Sequence, residues 1–215
     1  MKLTLSNALQ FAVARHNDVV ATLVEIAELQ EAASHEHAVK ILAHLTRHRD
    51  NSKWIVFRLR IVVPCFVLST GSPSDEARKF ACYALQNLSQ DKACRQEVAA
   101  TKGVVMAMCQ RARQATDPDE KLAAISGLKN LTDEPANLIP MTNTPECFAT
   151  LMQIAHGGDE GINEMMQYLA CDGLATLSHW LRKIATSGDA MGNPDKKRTG
   201  MFVPSLKTVT WSQWQ

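Results

Sequence analysis

Tyr83-Ala-Leu-Gln-Asn-Leu-Ser89 and Ser126-Gly-Leu-Lys-Asn-Leu-Thr132 stand 43 residues apart and share Leu-x-Asn-Leu followed by a hydroxyl residue. One period back lies Lys40-Ile-Leu-Ala-His-Leu-Thr46, and 46 residues on from the second lies Asp172-Gly-Leu-Ala-Thr-Leu-Ser178. The leucine pairs are Leu42/Leu45, Leu85/Leu88, Leu128/Leu131 and Leu174/Leu177. Four residues before each first leucine stands an alanine: Ala38, Ala81, Ala124 and Ala170. Alanine, leucine and leucine at i, i+4 and i+7 fall on one face of a helix, and the alanine lets a neighbouring helix come close. Self-similarity at this period is the signature of a helical array.

A second recurring element lies between these helices. Asn51-Ser-Lys-Trp-Ile-Val-Phe57 is followed by Ile61-Val-Val-Pro-Cys-Phe-Val-Leu68, and Asp91-Lys-Ala-Cys-Arg-Gln-Glu-Val-Ala99 by Gly103-Val-Val-Met-Ala-Met-Cys109. In the third unit Pro135-Ala-Asn-Leu-Ile-Pro140 precedes Pro145-Glu-Cys-Phe-Ala-Thr-Leu-Met152. Each unit therefore reads as a short, a middle and a long helix. Breakers fall at the joints: Gly71, Ser72 and Pro73, then Gly103, then Gly157-Gly158. Asp117 is placed to cap a helix that starts at Pro118, Thr144 one that starts at Pro145, and Ser6 or Asn7 the first helix.

Ala81-Cys-Tyr-Ala-Leu-Gln-Asn-Leu88 and Ala124-Ile-Ser-Gly-Leu-Lys-Asn-Leu131 resemble the third helix of the armadillo repeat, whose unit is about 42 residues in three helices. The resemblance covers residues 17 to about 186, closely in two units and loosely in the outer two. Two-helix HEAT-type repeats have a similar period, but the Asn-Leu-Ser/Thr endings and the third helix favour the armadillo type. The resemblance implies an all-α, right-handed α-solenoid of about four repeats over residues 1–186, followed by a linker and extended tail over 187–215. It also implies a concave face lined by third helices, on which the repeated asparagine bonds the backbone of an extended peptide. Asn87 and Asn130 match that position, with His44 and Thr176 in the outer units. Nuclear-import adaptors of the family carry tryptophan four residues earlier. Here Lys40, Tyr83, Ser126 and Asp172 stand there, which argues against a receptor for basic signals.

Composition agrees with a folded binding protein. The chain has 215 residues, 46% hydrophobic and 21% charged, with a formal net charge of +1, so no overall charge points to nucleic acid. No apolar run approaches the ~20 residues of a membrane span. Cys65, Cys82, Cys94, Cys109, Cys147 and Cys171 form no C-x-x-C pair and sit mostly in apolar runs, as small buried residues of a reducing compartment. His35-Glu36-His37 is too isolated for a metal site, and adjacent residues point to different sides of a helix. The remaining histidines, His16, His44, His48, His156 and His179, are scattered and read as surface or capping residues. Gly157-Gly158-Asp-Glu-Gly161 lacks the lysine and strand of a phosphate loop. The densest basic cluster is Arg47-His-Arg49 with Lys53, Arg58 and Arg60; it reads as a solvated turn, with contact to an acidic partner as its functional alternative.

The expectation is a non-catalytic scaffold, without cofactor or metal, in the cytoplasm; the alternatives are an accessory subunit of a larger assembly docking through its C-terminal tail, and a helical-repeat enzyme with a metal cofactor. The scaffold takes a protein or peptide segment through Asn87, Asn130, Tyr83, Lys79, Lys129 and His44. Glycine and proline set in from Gly188, and the tail ends in Val209-Thr-Trp-Ser-Gln-Trp214. Trp211 and Trp214 are expected to anchor that segment on the solenoid or on a partner.

Overall fold

The computed structural model describes residues 7–29, 32–157 and 161–190, and among them there are twelve α-helices and no strand. They are α1 (Asn7–Ala14), α2 (Asn17–Glu28), α3 (Ala32–Thr46), α4 (Arg49–Phe57), α5 (Val62–Ser69), α6 (Asp75–Gln90), α7 (Arg95–Ala100), α8 (Val104–Gln114), α9 (Pro118–Thr132), α10 (Leu138–Thr142), α11 (Pro145–His156) and α12 (Glu164–Ala190). A single 3-10 turn, Pro135–Asn137, leads into α10. The helices recur in triplets that each end on the longest: α1 to α3, α4 to α6, α7 to α9, and the 3-10 turn with α10 to α12.

Residues up to Trp180 form one compact unit. Within it α3 packs along α6 and α6 along α9, making a layer of long helices. Behind it α2, α5, α8 and α11 pack in series, and α2, α5 and α8 each also pack on the long helix of their own triplet. Ala38, Ala81, Ala124 and Ala170 are buried, as are Leu42, Leu45, Leu85, Leu88, Leu128, Leu131 and Leu177. The repeated face thus builds the core, and Leu174 is half-buried at its end. One cluster of buried apolar side chains runs without a break from Ala14 to Leu177. The last turns of α12, from Leu181, belong to a second unit.

The joints follow local chemistry. Ser74 caps α6 by accepting the Ala77 amide, and its hydroxyl donates to Glu36 of α3 at 3.0 Å. Asp117 caps α9 through the amides of Asp119 and Glu120, with Pro118 in the first turn. Gly103 takes φ +89° between α7 and α8, and a side chain there would also crowd Val67. Pro64 is accommodated in the first turn of α5, where its missing N–H costs nothing.

Several joints differ from the sequence reading. Thr144 precedes α11 but its hydroxyl donates back to the Pro140 carbonyl at 3.0 Å instead of capping. α1 begins at Asn7, and Ser6 lies outside the described residues. Gly157 closes α11, and Gly158 also lies outside them. Gly188 lies inside α12, which runs on to Ala190; one glycine near a helix end costs only about 1 kcal/mol. Cys171 is exposed, whereas the other five cysteines are buried, and all six are free thiols. Trp211, Trp214 and the rest of the expected tail fall outside the described residues.

Candidate functional site

The half-buried edge of α3, α6 and α9 carries most of the residues singled out from sequence. Asn87 of α6 donates through Nδ2 to Thr46 Oγ1 of α3 at 3.1 Å, and Thr46 donates on to the Ala43 carbonyl. Asn130 of α9 repeats this on Ser89 of α6 at 3.2 Å, and Ser89 donates on to Gln86. Both rungs span 41 residues. The amide nitrogens therefore hold successive long helices in register. The run stops there. Thr132 faces Gly173 of α12, and Thr176 donates to its own helix at Asp172.

A buried set of side chains, which the sequence reading missed, ties the other side of each junction. Asn137 Nδ2 donates to the carbonyls of Arg95 and Leu131, both at 3.1 Å. Asn51 Nδ2 does the same to Gln10 and Leu45. In the unit between them Cys94 stands at this position, and the Arg95 guanidinium donates to the Ser89 carbonyl. The signal was an asparagine six residues after the second leucine in two of the units.

Lys79 and Lys129 are engaged within the fold. Lys79 Nζ lies 2.8 Å from Asp117 and 3.4 Å from Asp119 of α9. Lys129 Nζ lies 3.0 Å from Asp133 and 3.1 Å from Asp172 of α12. The hydrogen bond to Asp117 raises the Lys79 pKa and lowers that of Asp117. For Lys129, burial acts downward, but the bonds to Asp133 and Asp172 outweigh it and the pKa rises. Neither ammonium is left to recruit an acidic ligand by itself.

Tyr83 and His44 belong to an aromatic strip across α3 and α6. Phe80 sits between them, 5.8 Å from His44 and 6.2 Å from Tyr83, with Lys40 Nζ 4.8 Å over its ring. Burial, then the charges of Arg47 and Lys40, hold His44 below its ordinary pKa. Burial raises that of Tyr83, which also bonds Asp119.

Beside this strip, where α3 and α6 end and α4 begins, lies a cleft of about 320 Å3 lined by Thr46, Arg47, Arg49, Ser52, Asn87, Gln90 and Asp91. Among the described residues the side chains of Arg49 and Gln90 make no hydrogen bond or ion pair, and that of Arg47 has only a 3.5 Å contact with His44. Asp91 is buried; its Oδ1 accepts the Ala93 amide and its Oδ2 has no partner. The walls thus offer guanidinium donors, a primary amide and acceptor oxygens, a set suited to a backbone carrying an acidic or amide side chain.

His35, buried on α3, bridges the Ala27 carbonyl at 2.5 Å and the Ser72 hydroxyl at 2.8 Å, a tie between helices. His37 is exposed and bonds its own helix at Ala33. Among the described residues no three His, Cys, Asp or Glu side chains gather as a metal site. No described helix is long and apolar enough to cross a membrane. Comparison with protein families, characterised proteins and solved structures finds no match for this chain.

Proposed function

We propose that this chain is an armadillo-like right-handed solenoid of about four repeats, serving as a non-catalytic scaffold for an extended protein segment on its long-helix face. The observation that carries the reading is the cleft at the ends of α3 and α6. There Asn87, already oriented by Thr46, meets the unengaged side chains of Arg49 and Gln90. A site fixed on rigid helix ends loses little freedom when it binds. The aromatic strip of His44, Phe80 and Tyr83 continues it along the same helices and supplies apolar contact. The triplet order of helices and the 41-residue rungs support the family reading. Five buried free thiols suit the cytoplasm, and the partner is a protein rather than nucleic acid.

The test is a quantitative pull-down from source-cell lysate with wild type, Arg49→Ala/Gln90→Ala, and Tyr83→Ala. Asn87→Ala serves as a third variant, read with its melting temperature because Asn87 also holds α6 to α3. A specific partner lost in the first two variants at unchanged melting temperature is the expected result. A partner retained at full level in both would remove the cleft and the strip from recognition.

A further inference from the structure

The longest apolar run of the sequence, Ile61 to Leu68, and the later members of its densest basic cluster, Arg58 and Arg60, meet at one corner of the fold, where α4 turns into α5. Ile61, Pro64 and Leu68 recur at i, i+3 and i+7, so they share one face of α5. All three are exposed, and Phe57, at the end of α4, is exposed beside them. On α8, the next middle helix, the outward positions are Gln110, Arg113 and Gln114. α5 therefore presents carbon where its neighbour presents polar groups, and no described residue covers it. Arg58 and Arg60 stand in the turn that leads into this stripe, and Lys53 lies one helical turn before Phe57 on α4; all three are exposed. None of them makes an ion pair among the described residues; Arg58 only leans on the Trp54 ring, 5.9 Å from its centre.

We propose that this corner is a second docking surface, separate from the long-helix face, for an amphipathic helix of a partner protein with an apolar stripe and acidic flanks. The apolar stripe accounts for the hydrophobic contact and the three unneutralised cations for the acidic flanks. Two other occupants fit less well. A second copy in a two-fold contact would set Lys53, Arg58 and Arg60 against themselves. A lipid surface takes protruding side chains several ångströms deep, whereas Phe57, Ile61 and Leu68 are only 40%, 49% and 46% exposed, half sunk in the wall. A flat, half-sunk stripe matches the knobs of a helix laid across it.

The test is fluorescence anisotropy of the full chain with a labelled helical probe of about 18 residues, leucine on one face and glutamate on the other. A matched probe carries lysine for glutamate. Saturable binding of the glutamate probe, at least tenfold tighter than the lysine probe and weakened by salt, is the expected result. Leu68→Glu and Arg58→Glu/Arg60→Glu should each weaken it at least tenfold, with Gln114→Glu on α8 as an unaffected control. These positions are exposed, and thermal melts check that each variant is folded. No saturable binding, equal binding of the two probes, or binding indifferent to Leu68→Glu overturns the proposal. So does a concentration-dependent dimer broken by Leu68→Glu, which would make a second copy the occupant. Co-sedimentation with phosphatidylserine-containing vesicles that outcompetes the probe would make it a lipid surface.

Discussion

Asparagine serves two purposes in this chain, and burial separates them. Asn137 is almost wholly buried and its amide donates to the carbonyls of Arg95 and Leu131, so Asn137→Ala removes two buried hydrogen bonds and should cost about 2–3 kcal/mol in urea denaturation. Asn130 sits at the half-exposed edge, where water replaces its single bond to Ser89, so Asn130→Ala should cost about 1 kcal/mol or less. Equal losses would contradict the division. His44 gives a pH prediction. Its folded pKa lies below 6.5, so the fold prefers the neutral ring. Stability is then fully present above 6.5 and declines as pH falls through the folded value. In NMR titration its imidazole should titrate below 6.5, and His44→Gln should flatten the decline between about pH 7 and 5. Asn87, Asn130 and His44 were legible because they stand at a repeated position. That Asn87 and Asn130 spend their nitrogens on the preceding helix was not, since a pattern names positions and not partners. Asn51 and Asn137 were hidden because Cys94 interrupts their series.

At the level of the element, α9 shows what the breakers did and did not disclose. Asp117-Pro118 announced its start, and the cap is there. The same carboxylate also pairs with Lys79, which joins the start of α9 to α6. Asp117→Ala should therefore cost about 1–2 kcal/mol at neutral pH, a cap plus a partly exposed ion pair. With the Asp117 pKa lowered in the fold, the charge-dependent part of this difference is present above its ordinary 3.8 and is lost as pH falls through the folded value, leaving the weaker cap of a neutral carboxyl. A loss of the same size at pH 2 would refute it. Thr144-Pro145 carried the same signal as Asp117-Pro118 yet gave no side-chain cap, because the hydroxyl found the Pro140 carbonyl first. Gly127, midway along α9, lies where an added Cβ would overlap Met108 Cε, a side chain with no exposed surface. Gly127→Ala gains about 1 kcal/mol of helix propensity but must displace Met108 in a filled core, which costs about 1–3 kcal/mol. Net destabilisation in thermal melts, partly relieved by Met108→Leu, is the expected outcome.

For the whole molecule, the all-helical class and the three-helix period were open to reading because they rest on residue spacing. The core is continuous from Ala14 to Leu177, so no triplet is buried on its own account. Leu85→Ala, at the middle of that core, should cost about 2–5 kcal/mol and shift one cooperative transition. Two transitions by circular dichroism, only one of them moved, would contradict a shared core. The pairing of Lys79 with Asp117 and of Lys129 with Asp172 was not legible, because those partners come from the next unit; only Asp133, four residues after Lys129, stood within reach of a local reading. The 41-residue rungs also have a use in construction. A second copy of residues 91–133 spliced in after Asp133 sets a new asparagine opposite the existing Thr132, and hands the old contact with Gly173 to the new Thr132 equivalent. Both seams then reuse pairings the protein already makes, so the chain should lengthen by cassettes as a ruler is extended, with melting temperature rising at each insertion.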